Sequence, residues 1–212
     1  SYSIGCKNRK LYCNIANIVE NVFDIFVFSL VSLIIILLCC SLEIKHLVMK
    51  QIAVFASGTG TNAENIIKYF NKSAKARVVL VLTNNPSAGV ITKARALSVN
   101  TIIFNKTQLQ DREGVLKTLV EINIDLIVLA GFLLKFPTII INSFNFKIIN
   151  IHPSLLPKYG GKGMFGNNVH KAVIANREKE SGITIHYVDE QYDNGEVIFQ
   201  ANCKIEPEDS VN

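Results

Sequence analysis

Apolar and polar positions between residues 52 and 199 fall into two alternating patterns. Short apolar, β-branched runs at 52–55, 78–82, 101–104, 126–129, 148–151, 183–188 and 197–199 read as strands. Stretches near 63–70, 91–97, 111–122 and 169–176 fit helices between several of them. Strand–helix alternation predicts parallel strands joined by right-handed crossovers, hence an α/β fold with a doubly wound, mostly parallel sheet of Rossmann-like form. The runs at 126–129 and 148–151 are apolar nearly throughout, as strands covered on both faces should be. Ligands of such sheets collect beyond the carboxyl ends of the strands, so chemically active residues are expected there.

The first 48 residues follow neither pattern. Residues 25–42 carry no charge, are dominated by Ile, Leu, Val and Phe, and are closed by Asp24 and Glu43. That length is close to the minimum for a membrane-spanning helix, about 17–20 residues. Basic residues stand on both sides (Lys7, Arg9 and Lys10 before, Lys45 and Lys50 after), so no orientation follows. A small-residue cleavage pattern is missing. Met49 leads directly into Lys50, Gln51 and the first strand, as the start of a cytosolic α/β domain does. Two readings stand for residues 1–48: a single membrane-spanning or targeting segment, or upstream sequence absent from the working protein. A membrane partner is expected only under the first. The main domain is expected to span 49–212.

Composition adds limits. The chain has 212 residues and a formal net charge of +5, with no basic run interleaved with aromatics, so a nucleic-acid partner is not expected. Five cysteines, four of them before residue 49 and none in a C-x-x-C pair, form neither a disulfide framework nor a zinc site. No metal is expected, and a reducing, cytoplasmic setting fits the main domain.

After the first strand comes Ser57-Gly58-Thr59-Gly60-Thr61-Asn62, then a helix. Glycine permits tight turns and close backbone approach, and a helix N-terminus offers free N–H groups to an anion. Phosphate binding is the functional reading; a glycine turn that merely starts a helix is the bland one. With Ala63 the loop also matches G-x-G-x-x-A, but a dinucleotide site needs an acid near the end of the second strand. That strand ends Leu82-Thr83-Asn84-Asn85, so a single phosphate is favoured over NAD. A P-loop is excluded because no Gly-Lys-Ser/Thr follows.

The fifth strand ends Asn150-Ile151-His152-Pro153. Residues two apart on a strand share a face, so Asn150 and His152 would project together. An amide that can hold an oxyanion beside an imidazole that can move a proton suits acyl transfer. An isolated Asn-x-His more often only satisfies backbone groups. Asp193, in the polar loop before Asn194-Gly195, is either a turn residue or the carboxylate that orients His152. His186, inside a strand, reads as structural, and His170 starts a helix where it lines the cleft or helps cap it.

Taken together, residues 57–62, Leu129-Ala130-Gly131-Phe132, the run Asn-Ile-His-Pro-Ser-Leu-Leu-Pro-Lys-Tyr at 150–159 and Asp193-Asn194-Gly195 resemble the folate-dependent formyltransferases, and within them the phosphoribosylglycinamide formyltransferases. The resemblance covers about 49–212. It implies the Rossmann-like formyltransferase fold and transfer of a formyl group from 10-formyltetrahydrofolate, as co-substrate, to the amine of phosphoribosylglycinamide in purine synthesis. It implies Asn150, His152 and Asp193 as the catalytic trio and Gly60, Thr61, Asn62, Ala63 and Glu64 as the substrate phosphate loop. For folate it implies Leu133, Leu134, Lys135 and Phe136, the loop from Glu190 to Gly195, Asn150 and, across an alignment gap, Arg112. The sequence departs at Leu133-Leu134, where relatives often carry Met-Arg, and at 160–166, which is longer than in many. Relatives also continue through a helix with a substrate-binding glutamate, so the chain is expected to be incomplete at its C-terminus. The alternatives are a formyltetrahydrofolate hydrolase and a non-catalytic, membrane-tethered module that binds a phosphometabolite.

Overall fold

The computed structural model describes residues 49–206 and 208–211; the apolar run at 25–42 lies outside them. Seven strands form one sheet in the order β3-β2-β1-β4-β5-β6-β7. They are β1 (Lys50–Phe55), β2 (Ala76–Thr83), β3 (Asn100–Ile103), β4 (Leu126–Leu129), β5 (Ile148–His152), β6 (Glu180–Tyr187) and β7 (Val197–Lys204). The first five pair in parallel, and β6 and β7 add antiparallel. The chain runs outward from β1 to β3, then returns to place β4 on the other side of β1. That reversal opens a crevice beyond the carboxyl ends of β1 and β4, where open α/β sheets bind ligands.

Helices cover both faces. They are α1 (Thr61–Phe70), α2 (Gly89–Ala96), α3 (Lys106–Gln110), α4 (Lys117–Glu121), α5 (Thr138–Ser143) and α6 (Asn167–Ala175), with a π-helical turn at Arg112–Leu116 leading into α4. Alternation along β1 divides the core. Ile52 and Val54 pack under α1 and α2 with Ile66, Phe70 and Val90. Ala53 and Phe55 point the other way, towards Leu109, Leu119 and Ile140 of α3, α4 and α5. Strands buried on both faces explain why the sequence reads as apolar runs.

The structure departs from the expected elements in places. The helix expected over 111–122 is broken at Gly114, which has non-helical φ −92° and ψ −122°. A Cβ there would lie 2.1 Å from the Gln108 carbonyl oxygen, so only glycine permits this close approach. The preceding α3 was not foreseen; Asn105 and Gln108 cap it reciprocally at 2.8 and 2.9 Å. The short α5 was also missed, because its Thr-Ile-Ile-Ile start carries strand propensity. β6 and β7 are longer than their apolar segments, since β7 is an edge strand that alternates exposed and half-buried positions.

Candidate active site

Three strand ends build the site. At the end of β1, Ser57 donates from Oγ to Asn84 Oδ1 at 2.6 Å and accepts the Leu133 N–H at 3.1 Å. Its own N–H donates to the Gly131 carbonyl at 3.0 Å. One serine thus ties the glycine loop to the turns after β2 and β4. Gly60 caps α1 with φ 73°, and a Cβ on it would meet Val90 at 2.5 Å. Left-handed backbone and close packing both require glycine there. The turn leaves the N-terminus of α1 facing a cavity of about 880 Å³, within the range of small-molecule sites.

Gly60, Thr61 and Asn62 line this cavity. Ala63 does not: it is fully buried on the core-facing side of α1. The Glu64 carboxylate is held by Lys68 at 2.6 Å and by Lys93 of α2 at 2.8 Å. Hydrogen bonds from Lys68 and then Lys93 outweigh its partial burial and lower its pKa. Lys93 Nζ also lies 3.4 Å from Thr61 Oγ1. The sequence reading missed Lys93, which lies 32 residues from Thr61 and carries no motif.

The segment after β4 forms a second wall with Leu133, Leu134, Lys135 and Phe136. Phe136 anchors it by packing edge-on to Phe55, with ring centroids 5.1 Å apart. The third wall includes Asp189, Gln191, Tyr192 and Asp193. Glu190 and Gly195 lie in the same loop but are not among the lining residues, and exposed Arg112 lies away from the cavity in the turn before α4.

Asn150, His152 and Asp193 come together at the end of β5. Asn150 Nδ2 donates to Asp193 Oδ1 at 3.2 Å. His152 Nδ1 stands 3.5 Å from the same oxygen, with the ring only 3% exposed. His152 Nε2 donates to the Tyr159 carbonyl at 2.8 Å. Both ring nitrogens therefore face oxygen atoms. Asp193 takes a left-handed φ of 51°, which Asp tolerates, and accepts the Gly161 N–H on Oδ2 at 2.9 Å. Burial alone would raise its pKa. His152 and the Gly161 N–H override that and hold the carboxyl well below its usual range.

His186 departs from its sequence reading. It lies opposite Asn150 across the β5–β6 ladder and lines the cavity. Its Nδ1 is 2.7 Å from the Tyr187 carbonyl, which can only accept, so Nδ1 carries the proton. Nε2 is then free to accept from Asn150 Nδ2 at 3.1 Å. His170 also lines the cavity, buried within α6. Among the described residues, no group of three or more His, Cys, Asp or Glu could hold a metal ion. None of the described helices is long and apolar enough to cross a membrane.

The geometry agrees with what comparison finds. A family model described as formyl transferase matches residues 50–212. A chloroplastic phosphoribosylglycinamide formyltransferase of Arabidopsis thaliana is 36% identical over 162 residues, which are 74% of this chain and 56% of that one. The phosphoribosylglycinamide formyltransferase of Haemophilus influenzae is 35% identical, covering 77% of each chain. The crystal structure of phosphoribosylglycinamide formyltransferase from Bacillus halodurans superposes with a TM-score of 0.67 at 34% identity, over 76% of this chain and 84% of that one. The chain spans about half the length of the chloroplastic relatives it matches.

Proposed function

The chain belongs to the formyl transferase family, and on that premise we propose that it moves a formyl group from 10-formyltetrahydrofolate to the amine of phosphoribosylglycinamide, a step of purine biosynthesis. The observation that carries the reading is the meeting of Asn150, His152 and Asp193 in one cavity that also reaches the glycine loop at Gly60. An amide donor, an imidazole and a carboxylate then act on one carbonyl while the start of α1 holds a phosphate.

Attack of the amine on the formyl carbon builds negative charge on the formyl oxygen. Asn150 is a donor for that charge, and His152 joins it only when a ring N–H leaves Asp193 or the Tyr159 carbonyl. Both hydrogens of the Asn150 amide are engaged, on His186 and Asp193, so donation to substrate requires release of one. Asp193, ionised at neutral pH, stays beside His152; the attacking amine loses a proton through water, collapse breaks the bond from the formyl carbon to the folate nitrogen, and that nitrogen takes up a proton as tetrahydrofolate leaves. The cavity wall formed by Leu133, Leu134 and Phe136 supplies an apolar surface for a flat ring system such as the pterin.

Formyl transfer by the purified chain, followed at the folate chromophore with phosphoribosylglycinamide present, tests the proposal. Folate consumption that releases formate at the same rate without the amine would replace it with the hydrolase reading. A cytoplasmic setting is part of the proposal and is tested by cell fractionation.

A further inference from the structure

His152 takes its Nε2 partner from main chain, the carbonyl of Tyr159 at 2.8 Å, so the partner moves only if the segment moves. Tyr159 holds a left-handed φ of 57°, which a bulky side chain adopts only where its surroundings over-determine it. Those surroundings are visible. The phenol donates to Glu178 Oε1 at 2.9 Å and accepts from Asn176 Nδ2 at 2.8 Å. Its ring packs against Val169 and Val173 of α6. Lys158, the preceding residue, pairs with the same Glu178 at 3.0 Å. Lys158 and then Tyr159 hold the Glu178 carboxyl below its usual range, so the anchor is an anion at neutral pH. Two residues beyond Tyr159, the Gly161 N–H donates to Asp193. One short segment thus supplies a partner to His152 and another to Asp193, and it is pinned by residues at and just beyond the C-terminal end of α6.

Building on the formyl-transfer reading, we propose that Tyr159 is a positioning residue: its phenol, clasped by Glu178 and Asn176, fixes the main chain that orients His152 and Asp193. The phenol acts through the backbone and touches no reacting atom. The titratable groups facing His152 itself are Asp193 and, through it, His186.

Tyr159→Phe in the full chain keeps the ring packing and removes only the hydroxyl. Misplacing a catalytic group costs rate rather than affinity, so kcat is expected to fall about ten- to a hundredfold, with KM for the formyl donor little changed. Glu178→Ala should reproduce the loss, and Glu178→Gln, which keeps an acceptor for the phenol, should recover most of it. The ring nitrogen resonances of His152, read by NMR without substrate, should move in Tyr159→Phe and Glu178→Ala and return in Glu178→Gln. Wild-type kcat and unmoved resonances in Tyr159→Phe would overturn the proposal. If Tyr159→Phe does not fold, Asn176→Ala and Glu178→Ala carry the same test from the solvent side. If the unsubstituted chain transfers no formyl group, the formyl-transfer reading falls, and the resonances alone decide the positioning role.

Discussion

Asn150 and His186 face each other as register partners across the antiparallel β5–β6 ladder, with the amide nitrogen 3.1 Å from Nε2 of the ring. Because the Tyr187 carbonyl fixes the proton on Nδ1, the ring is an acceptor towards Asn150. The contact therefore sets which way the Asn150 amide points. His186→Ala should let that amide rotate and lower kcat by roughly ten- to a hundredfold, with KM for both substrates nearly unchanged. Steady-state kinetics check this; an unchanged kcat would return His186 to a purely structural role.

In the proposed mechanism, Asn150→Ala removes a donor to the developing oxyanion. Loss of one such donor costs about 3–4 kcal/mol of barrier, so kcat should drop at least a hundredfold. Binding of a non-reactive folate analogue, measured by calorimetry, should stay close to that of the unsubstituted chain. Loss of analogue binding equal to the loss of rate would move Asn150 from catalysis to ground-state binding.

Asp193 gives a pH dependence of stability. Its folded-state pKa is depressed, because His152 and the Gly161 N–H outweigh burial. The stability it contributes is therefore fully present above the unfolded carboxylate value, about 3.9, and is lost as pH falls from there towards the folded value. Urea unfolding of the parent chain and of Asp193→Asn should differ most at neutral pH, and the gap should close below pH ~4. A gap that widens with acid would contradict the assignment.

Gly60→Ala places a side chain in left-handed backbone against Val90. The backbone cost alone is about 1–3 kcal/mol, visible as a lowered Tm. The same change should raise KM for the phosphate-bearing substrate, since it displaces the start of α1. An alanine variant with the parent Tm and KM would show that the loop tolerates the bulk.

Lys93 and Lys68 together offset the Glu64 carboxylate in the first turn of α1, next to the glycine loop. Half-exposed ion pairs of this kind contribute about 0–1 kcal/mol, so Lys93→Met should barely change stability. It leaves Glu64 with one lysine and takes a positive charge from beside Thr61. KM for the phosphate-bearing substrate should rise severalfold and respond less to added salt, while KM for the folate stays level. Equal changes in both constants would argue against a local charge effect.

The strand positions were readable from the sequence because β1, β4 and β5 are covered on both faces, and that burial writes uninterrupted apolar runs. Asn150, His152, Asp193 and the glycine loop were readable because they sit in short motifs at strand ends. Lys93, the hold of Glu178 and Asn176 on Tyr159 and the site position of His186 were not. Each contact joins distant segments: α2 to α1, the residues after α6 to the 154–161 turn, and β6 to β5 across the ladder. The break at Gly114 was hidden for a different reason: the Gln108 carbonyl that excludes a Cβ is only six residues away, but it approaches only because the chain turns between two short helices.

The sequence by itself determined the parallel α/β sheet, its ligand-binding edge and the chemical types gathered there, because periodicity and motif spacing are local properties of the chain. Only the tertiary structure decided which groups touch: that Asp193 reaches both Asn150 and His152, that Glu64 faces lysines rather than the cavity, and that Arg112 and Glu190 do not line it. Hydrogen bonds and ion pairs act over about 3–4 Å between groups far apart in the chain, and the packing of sheet, helices and loops sets those distances.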